Sequence, residues 1–462
     1  MLKVLMTLLF TSVALFASAG TSAGANPDIT MTWVGFACLF IFVVGYYFVA
    51  AEEKYEIDKA KPALFIGTFM FMLVALYYAL NGLDLGLVHT EANHLILEIS
   101  GIFFFLFVAM TYIESLIHMG VFDRLKYNLV SKGYTYRKLF WVTGLIAFFL
   151  SPIADNLTTA LILSTVLITI EKKRKDFLVP GAINIVVAAN AGGAWSPFGD
   201  ITTLMAWTAG KGSFTDFLFL FPASIIGYLV TAFILARFVP DIKPEFDASK
   251  EQKPKMAEGA KVVMGLGVFT IFCAVMSHQV LHLPAMWGMM FGLSLLKVYS
   301  YGLKKKYGSD HFNIFHSMAK IENNTLMFFF GILAAVGALY FIGWLALAIV
   351  VYDPSVLGPT WSNIGVGFLS AIVDNVPVMS AVLKASPTMG LDQWMLVTLT
   401  AGVGGSMISF GSAAGVGVMG KLHGIYTFGA HMKYAWIIVI GYFVSVAVWY
   451  VQYEILGFYH IG

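Results

Sequence analysis

Asp155-Asn156, Asp200 and Asp374-Asn375 are the residues of this 462-residue chain whose type and setting could do chemistry. Each lies in a long apolar stretch, beside hydroxyls, amides and helix-breaking Pro or Gly. An aspartate at the centre of a membrane helix costs about 2.5–3.5 kcal/mol on insertion scales, so those that persist there are functional or paired. The first half supplies Asp155, Asn156, Thr158, Thr159, Asn190, Asp200, Thr202 and Thr203. The second supplies Ser370, Asp374, Asn375, Ser409 and Ser412. Carboxylates, amide oxygens, hydroxyls and freed backbone carbonyls suit a hard monovalent cation, and half-helix C-termini add negative potential.

Every Lys and Arg can be placed in a loop or at a segment end, so the acids have no evident internal ion-pair partner. A bound cation or a proton is the natural one. A free aspartate holds almost no proton at neutral pH. Exchange of H⁺ for a cation therefore requires desolvation and a second carboxylate nearby. Asp155 and Asp200 are expected to carry that exchange.

Plainer roles exist for the same residues. Asp155, Asp200 and Asp374 can each cap a helix, and Ser409 and Ser412 can permit close helix packing. Glu98, Glu114, His278 and His282 fall near segment ends and read as interfacial. Gly415-x-x-x-x-Gly420-Lys421 imitates a phosphate-binding loop, but Leu422 stands where Ser or Thr is needed. It also follows a helix, not a strand.

The elements that must position these residues follow from composition. The chain is 59% hydrophobic and 12% charged, against about 25% charged in soluble domains. Its 28 Lys+Arg and 26 Asp+Glu nearly cancel, which gives nucleic acid no basic field to bind. Cys38 and Cys273 lie in apolar runs and form no disulfide framework. This is the composition of an all-α polytopic membrane protein. Residues 1–19 read as a cleaved signal peptide, with Lys3, an apolar core and Ala17-Ser18-Ala19.

Continuous apolar spans are expected at 31–51, 62–80, 95–118, 214–237, 261–281, 284–299, 325–351 and 434–456. Four further regions, 139–170, 178–209, 362–383 and 391–420, are broken by Pro, paired Gly and polar residues. Irregular backbone at membrane depth survives only when buried in protein or lining a wet cavity. The breaks also repeat. Asp155-Asn156 recurs 219 residues on as Asp374-Asn375, Gly192-Gly193 recurs 212 on as Gly404-Gly405, and Phe103–Phe105 recurs 225 on as Phe328–Phe330.

Lys and Arg are concentrated in 119–138, 171–177, 237–261 and 297–320, and are absent from 81–94, 282–283 and 352–361. By the positive-inside rule both ends of 139–170 are cytoplasmic and both ends of 362–383 are external. Two re-entrant hairpins, two discontinuous transmembrane helices and inverted structural repeats result, an architecture of secondary transporters. The organisation read from this is scaffold helices over 20–94, repeat 1 over 95–238, a cytoplasmic loop and linking scaffold helices over 239–320, and repeat 2 over 321–462.

Ser-Pro-Ile-Ala-Asp155-Asn156-Leu-Thr-Thr, Asn190-Ala-Gly-Gly-Ala-Trp-Ser-Pro-Phe-Gly-Asp200-Ile-Thr-Thr and Ser370-Ala-Ile-Val-Asp374-Asn375-Val-Pro resemble the NhaD-type Na⁺/H⁺ antiporters of the ion transporter superfamily. The resemblance covers nearly the whole chain beyond the signal region. It implies a homodimer in the bacterial inner membrane, with a scaffold and a mobile transport domain. It also implies no enzymatic activity, no cofactor, and Na⁺ or Li⁺ exchanged for H⁺. Na⁺ is expected at Asp155, Asn156, Asp200 and Asn375. Asn190, Thr202, Thr203, Ser370, Ser409 and Ser412 match further functional positions, and Thr158 stands beside the first tip. Dicarboxylate carriers of the superfamily have Ser-Asn-Thr at the tips; Asp replaces that Ser in both tips here, against an anionic substrate such as arsenite or a carboxylate. An intramembrane enzyme with an aspartate pair is the rival from another class.

Overall fold

The computed structural model describes residues 28–55, 57–244, 253–308 and 312–458, and the signal-peptide reading of 1–19 lies outside them. Among the described residues there is no strand. Nine helices there are long and apolar enough to cross a membrane. The chain is an all-α multi-pass membrane protein.

Trp33–Ala50 (α1), Ala60–Leu80 (α2) and Leu85–His118 (α3) come first. Helix α3 differs from the expected 95–118. It begins at Leu85 because the Asp84 carboxylate caps the Gly86 amide at 2.8 Å. Its 34 residues run for about 51 Å, well beyond a hydrocarbon layer of about 30 Å. After Val121–Val130 (α4), Ala260–Gln279 (α10) and Ala285–Tyr307 (α11) pair with each other, and α11 packs along α3. Asn323–Ile342 (α12) packs along α2, which in turn packs on α1. The expected continuous span 325–351 is divided, because Gly343 takes φ 111° and ends α12 before a short helix at Ala346–Tyr352. Each Phe-triplet helix, α3 and α12, thus carries one pair of flanking helices.

Between these layers lie the broken regions. Tyr136–Ala154 (α5) and Asn156–Ile170 (α6) meet at Asp155. The break falls at Asp155, within the interrupted stretch 151–156, and the helix runs to Ala154 with Pro152 inside it. Pro152 has no N–H for the Phe148 carbonyl four residues back, and its own carbonyl, near the helix end, accepts from the Ser196 hydroxyl at 3.0 Å. Lys175–Gly193 (α7) and Ile201–Thr208 (α8) flank the second break, and Phe221–Leu235 (α9) follows. Gly358–Ile372 (α13) and Asn375–Ala385 (α14) meet at Val373-Asp374. Leu391–Gly404 (α15) and Ala413–Lys421 (α16) flank the last break, and Ala435–Tyr450 (α17) closes the set.

The same close contacts recur in the two halves. The Ser151 hydroxyl donates to the Ala189 carbonyl at 2.6 Å, and Ser370 donates to Ala401 at 2.7 Å. Gly192 lies against the Phe148 carbonyl, and Gly404 lies against the Gly367 carbonyl. A Cβ at either glycine would collide with backbone, so α5–α7 and α13–α15 approach as closely as they do only with Gly there. Helices α9 and α17 face each other through Gly227 and Gly441; a Cβ on either would stand 2.6 or 2.8 Å from the other's carbonyl oxygen.

Candidate functional site

The first link of the site is formed by helix α6. The Asp155 carboxylate caps its N-terminus, accepting from the Thr158 amide at 2.8 Å and the Thr158 hydroxyl at 2.7 Å. Asp155 holds φ 55° and ψ 162°, a region that costs a residue with a Cβ about 1–3 kcal/mol. The next residue, Asn156, is buried and donates to the Asn190 side-chain oxygen at 3.1 Å. Asn190 in turn donates to the Ser406 and Ser412 hydroxyls, both at 2.8 Å. Three breaks are joined through one amide.

The second link starts at α14. Asn375 donates to both carboxylate oxygens of Asp200, at 3.2 and 3.1 Å. Asp200 is 4% exposed and also accepts from the Thr202 amide, so it caps α8. It has no ion-pair partner among the described residues. Gly402, which matches Asn190 in the repeat, lies beside the carboxylate: a Cβ there would stand 3.5 Å from Asp200 Oδ2, an ordinary contact distance. Helix α6 packs on α16, and α14 packs on α8. Each tip therefore meets the break of the other half.

The remaining expected site residues are placed as follows. The buried Thr159, Thr202 and Ser409 hydroxyls have no hydrogen-bond partner among the described residues. Thr203 lies 3.4 Å from the Gly193 and Ala194 carbonyls. Ser370 is spent on the Ala401 carbonyl, and Ser412 also caps Gly415. Asp155 and Asp200 do not share a hydrogen-bond set.

Two acids correct the expectation that none is ion-paired. Lys59, just before α2, reaches Asp374 Oδ2 at 3.4 Å, and the Asp374 amide donates to the Tyr46 hydroxyl at 2.6 Å. Lys384 pairs with Glu98 at 2.8 Å, and Glu98 lies inside α3 and not at a segment end. The pairs join residues 315 and 286 positions apart in sequence, and no local pattern announces them. Ser406, two residues beyond the repeated Gly404, joins the site as a partner of Asn190, and a serine in that stretch carries no signal of its own in the sequence. The Gly415–Lys421 segment is part of α16, a helix and not a phosphate loop.

A cleft of about 800 Å³ opens beside Glu91, Glu98, His278, His282 and Lys384. His278 and His282 thus line a cavity, and the His278 ring packs on Trp207 with centroids 4.6 Å apart. Phe105 and Leu204 belong to the cleft wall. Phe105 packs on Phe198 with centroids 5.4 Å apart, and Leu204 is one helical turn from Asp200.

Comparison with known proteins agrees with this architecture. A family model described as citrate transporter matches residues 46–404. The Na⁺/H⁺ antiporter NhaD of Vibrio cholerae serotype O1 is 41% identical over 452 residues, covering 93% of this chain and 94% of that protein. NhaD of Vibrio parahaemolyticus is 43% identical over 409 residues, covering 83% and 97%. Sodium/proton antiporter 1 of Arabidopsis thaliana is 30% identical over 436 residues, covering 88% and 71%. The chain belongs to the NhaD-type Na⁺/H⁺ antiporters, within the broader family that the citrate-transporter model describes. It is a transporter and not an enzyme.

Proposed function

We propose that this chain exchanges Na⁺, and Li⁺ with it, for H⁺ across the bacterial inner membrane, with Asp200 alternately holding the cation and the proton. The observation that carries the reading is a buried carboxylate between two helix breaks, held by an amide and with no basic side chain against it. An isolated buried carboxylate is costly, and either a proton or a metal cation restores neutrality. Competition of two ions for one such group is sufficient for antiport. The empty, charged site is the form least able to reorient.

Asn375, Asn156, Asn190, Thr202, Thr203 and Ser412 are read as the polar wall of this site. The Thr158, Ser370 and Ser409 hydroxyls and the freed carbonyls at the breaks complete it. The same geometry disfavours an anionic substrate, which would meet the Asp200 charge. Asp155 is read as the second titrating carboxylate. Its cap on Thr158 would be kept by Asn, so Asp155→Asn separates charge from capping.

In this reading α5–α6 and α13–α14 are re-entrant hairpins entering from opposite faces, and α7–α8 and α15–α16 are discontinuous transmembrane helices. The contact of Ser151 with Ala189 recurs as Ser370 with Ala401, and that of Gly192 with Phe148 recurs as Gly404 with Gly367, which supports an internal repeat. Lys59, in the segment between α1 and α2, lies at the second tip. The broad cleft lies among segments poor in positive charge. The arrangement is read as the site turned towards the cytoplasm, in a rocking or elevator cycle. Homodimer formation enters through the family resemblance.

Everted membrane vesicles carrying a preformed pH gradient test the reading. Added Na⁺ or Li⁺ is expected to dissipate the gradient with the wild-type chain, and Asp200→Asn and Asp155→Asn are expected to be silent. A wild-type rate in Asp200→Asn would sink the mechanism. A wild-type rate in Asp155→Asn would reduce Asp155 to a helix cap.

A further inference from the structure

The two tips carry the same Asp-Asn pair, yet among the described residues only one of the aspartates has a cation of the protein's own beside it. Lys59 Nζ lies 3.4 Å from Asp374 Oδ2, and the two side chains are only 14% and 8% exposed. The ammonium also sits 4.3 Å from the centre of the Phe328 ring, a member of the repeated Phe triplet. The position is built from several sides. The Tyr46 hydroxyl accepts from the Asp374 amide, Asp374 Oδ1 takes the Val376 amide at 3.3 Å, and Glu52 receives the Lys59 amide at 3.4 Å. A void of about 50 Å³ adjoins the pair, lined among others by Glu52, Asp374 and Phe410. That is room enough for a mobile monovalent cation and water.

We infer that Lys59 is a resident counter-cation of the second tip, which keeps the Asp374 carboxylate occupied and so leaves Asp200 as the one cation site between the tips. This rests on the proposed exchange function and assigns a specificity-determining role to a residue outside both repeats. The chemistry is simple. A buried carboxylate takes whichever cation is nearest, and a tethered ammonium cannot diffuse away as Na⁺ does. Arg would keep the role, since its guanidinium stays charged and can reach a carboxylate edge. Met would match much of the stem and remove the charge. The carboxylate would then need a mobile ion, in a void of the right size.

Binding of ²²Na⁺ to the purified full chain at alkaline pH reads this directly. Wild type and Lys59→Arg are expected to bind a single Na⁺ per chain, and Lys59→Met a second one. Lys59→Met/Asp374→Asn is expected to return to one. A salt bridge with a merely structural role would lower yield or melting temperature without adding an ion. An unchanged Na⁺ count in Lys59→Met would overturn the assignment. Should that variant not be recovered folded, Asp374→Asn alone decides. A Na⁺ count equal to wild type supports the assignment, and loss of the bound ion overturns it. Failure of the wild type to bind Na⁺ at all would instead sink the exchange function, so the two failures are distinct.

Discussion

Asp155-Asn156 and Asp374-Asn375 are the same two residues at matching places, and they are held in unlike ways. Asp155 turns through φ 55° and closes on its own helix through Thr158. Asp374 keeps φ −41° and is met by Lys59 and Tyr46 from the scaffold. Their asparagines differ as well. Asn156 bonds a neutral amide, whereas Asn375 bonds both oxygens of a buried carboxylate. The source of the difference lies across the interface. Position 200 is an acid and its match at 412 is a hydroxyl; position 190 is an amide and its match at 402 is Gly. A repeated motif thus supplies the scaffold of two tips, and the residues facing it give one of them the buried carboxylate to which the proposed function assigns the cation.

The sharpest way to break this comparison is to equalise the facing positions. Asp200→Ser copies Ser412 into the first half and is expected to abolish Na⁺-driven proton movement in everted vesicles. Ser412→Ala removes a neutral partner of Asn190, worth about 1 kcal/mol. Its exchange is expected to stay within roughly tenfold of wild type. Equal losses in the two variants would mean that the halves are functionally equivalent and that the acid at 200 is not special.

The asparagines give a smaller contrast. Asn375→Ala removes the single amide nitrogen that serves both carboxylate oxygens, a charge-assisted contact worth about 1.5–3 kcal/mol. Apparent Na⁺ affinity, read from the concentration that half-dissipates the gradient, is expected to fall by about 10- to 100-fold. Asn156→Ala removes one bond between neutral amides and is expected to cost about 3- to 10-fold. The reverse order would transfer the principal site to the Asn156–Asn190–Ser412 set.

Much of this contrast is written in the sequence, and its decisive part is not. The four breaks are legible because Pro, paired Gly and clustered polar residues cannot continue an apolar helix. The observed helix ends at Ala154, Gly193, Ile372 and Gly404 follow them. The acid-rich first half is legible too. What faces each acid is not. Lys59 is 315 positions from Asp374 and belongs by its local pattern to an ordinary helix start. Counting Lys and Arg by depth assigns it to a loop, correctly, but a loop residue on a long stem can still reach a tip. Helix α3 was misjudged for the opposite reason. The polar run from Glu91 to His94 reads as loop, and only the Asp84 cap shows that the helix continues through it.

The smallest expected effect tests the comparison at its quietest position. Gly402 stands where the first half has Asn190, and a Cβ there would lie 3.2 Å from Ala194 Cβ and 3.5 Å from Asp200 Oδ2. Gly402→Ala should gain about 0.5–1 kcal/mol of helix stability, and that gain is set against the tight contact with Ala194. The two offset, so the melting temperature in detergent is expected to move by no more than a few degrees and exchange to persist. Gly402→Asn is the informative partner. It would bring a second amide to Asp200, giving that carboxylate hydrogen bonds that compete with a bound ion. Weaker apparent Na⁺ affinity in Gly402→Asn than in Gly402→Ala would show that the small residue beside Asp200, and not the charge alone, separates the two halves. Equal affinities would place the whole difference in the charge.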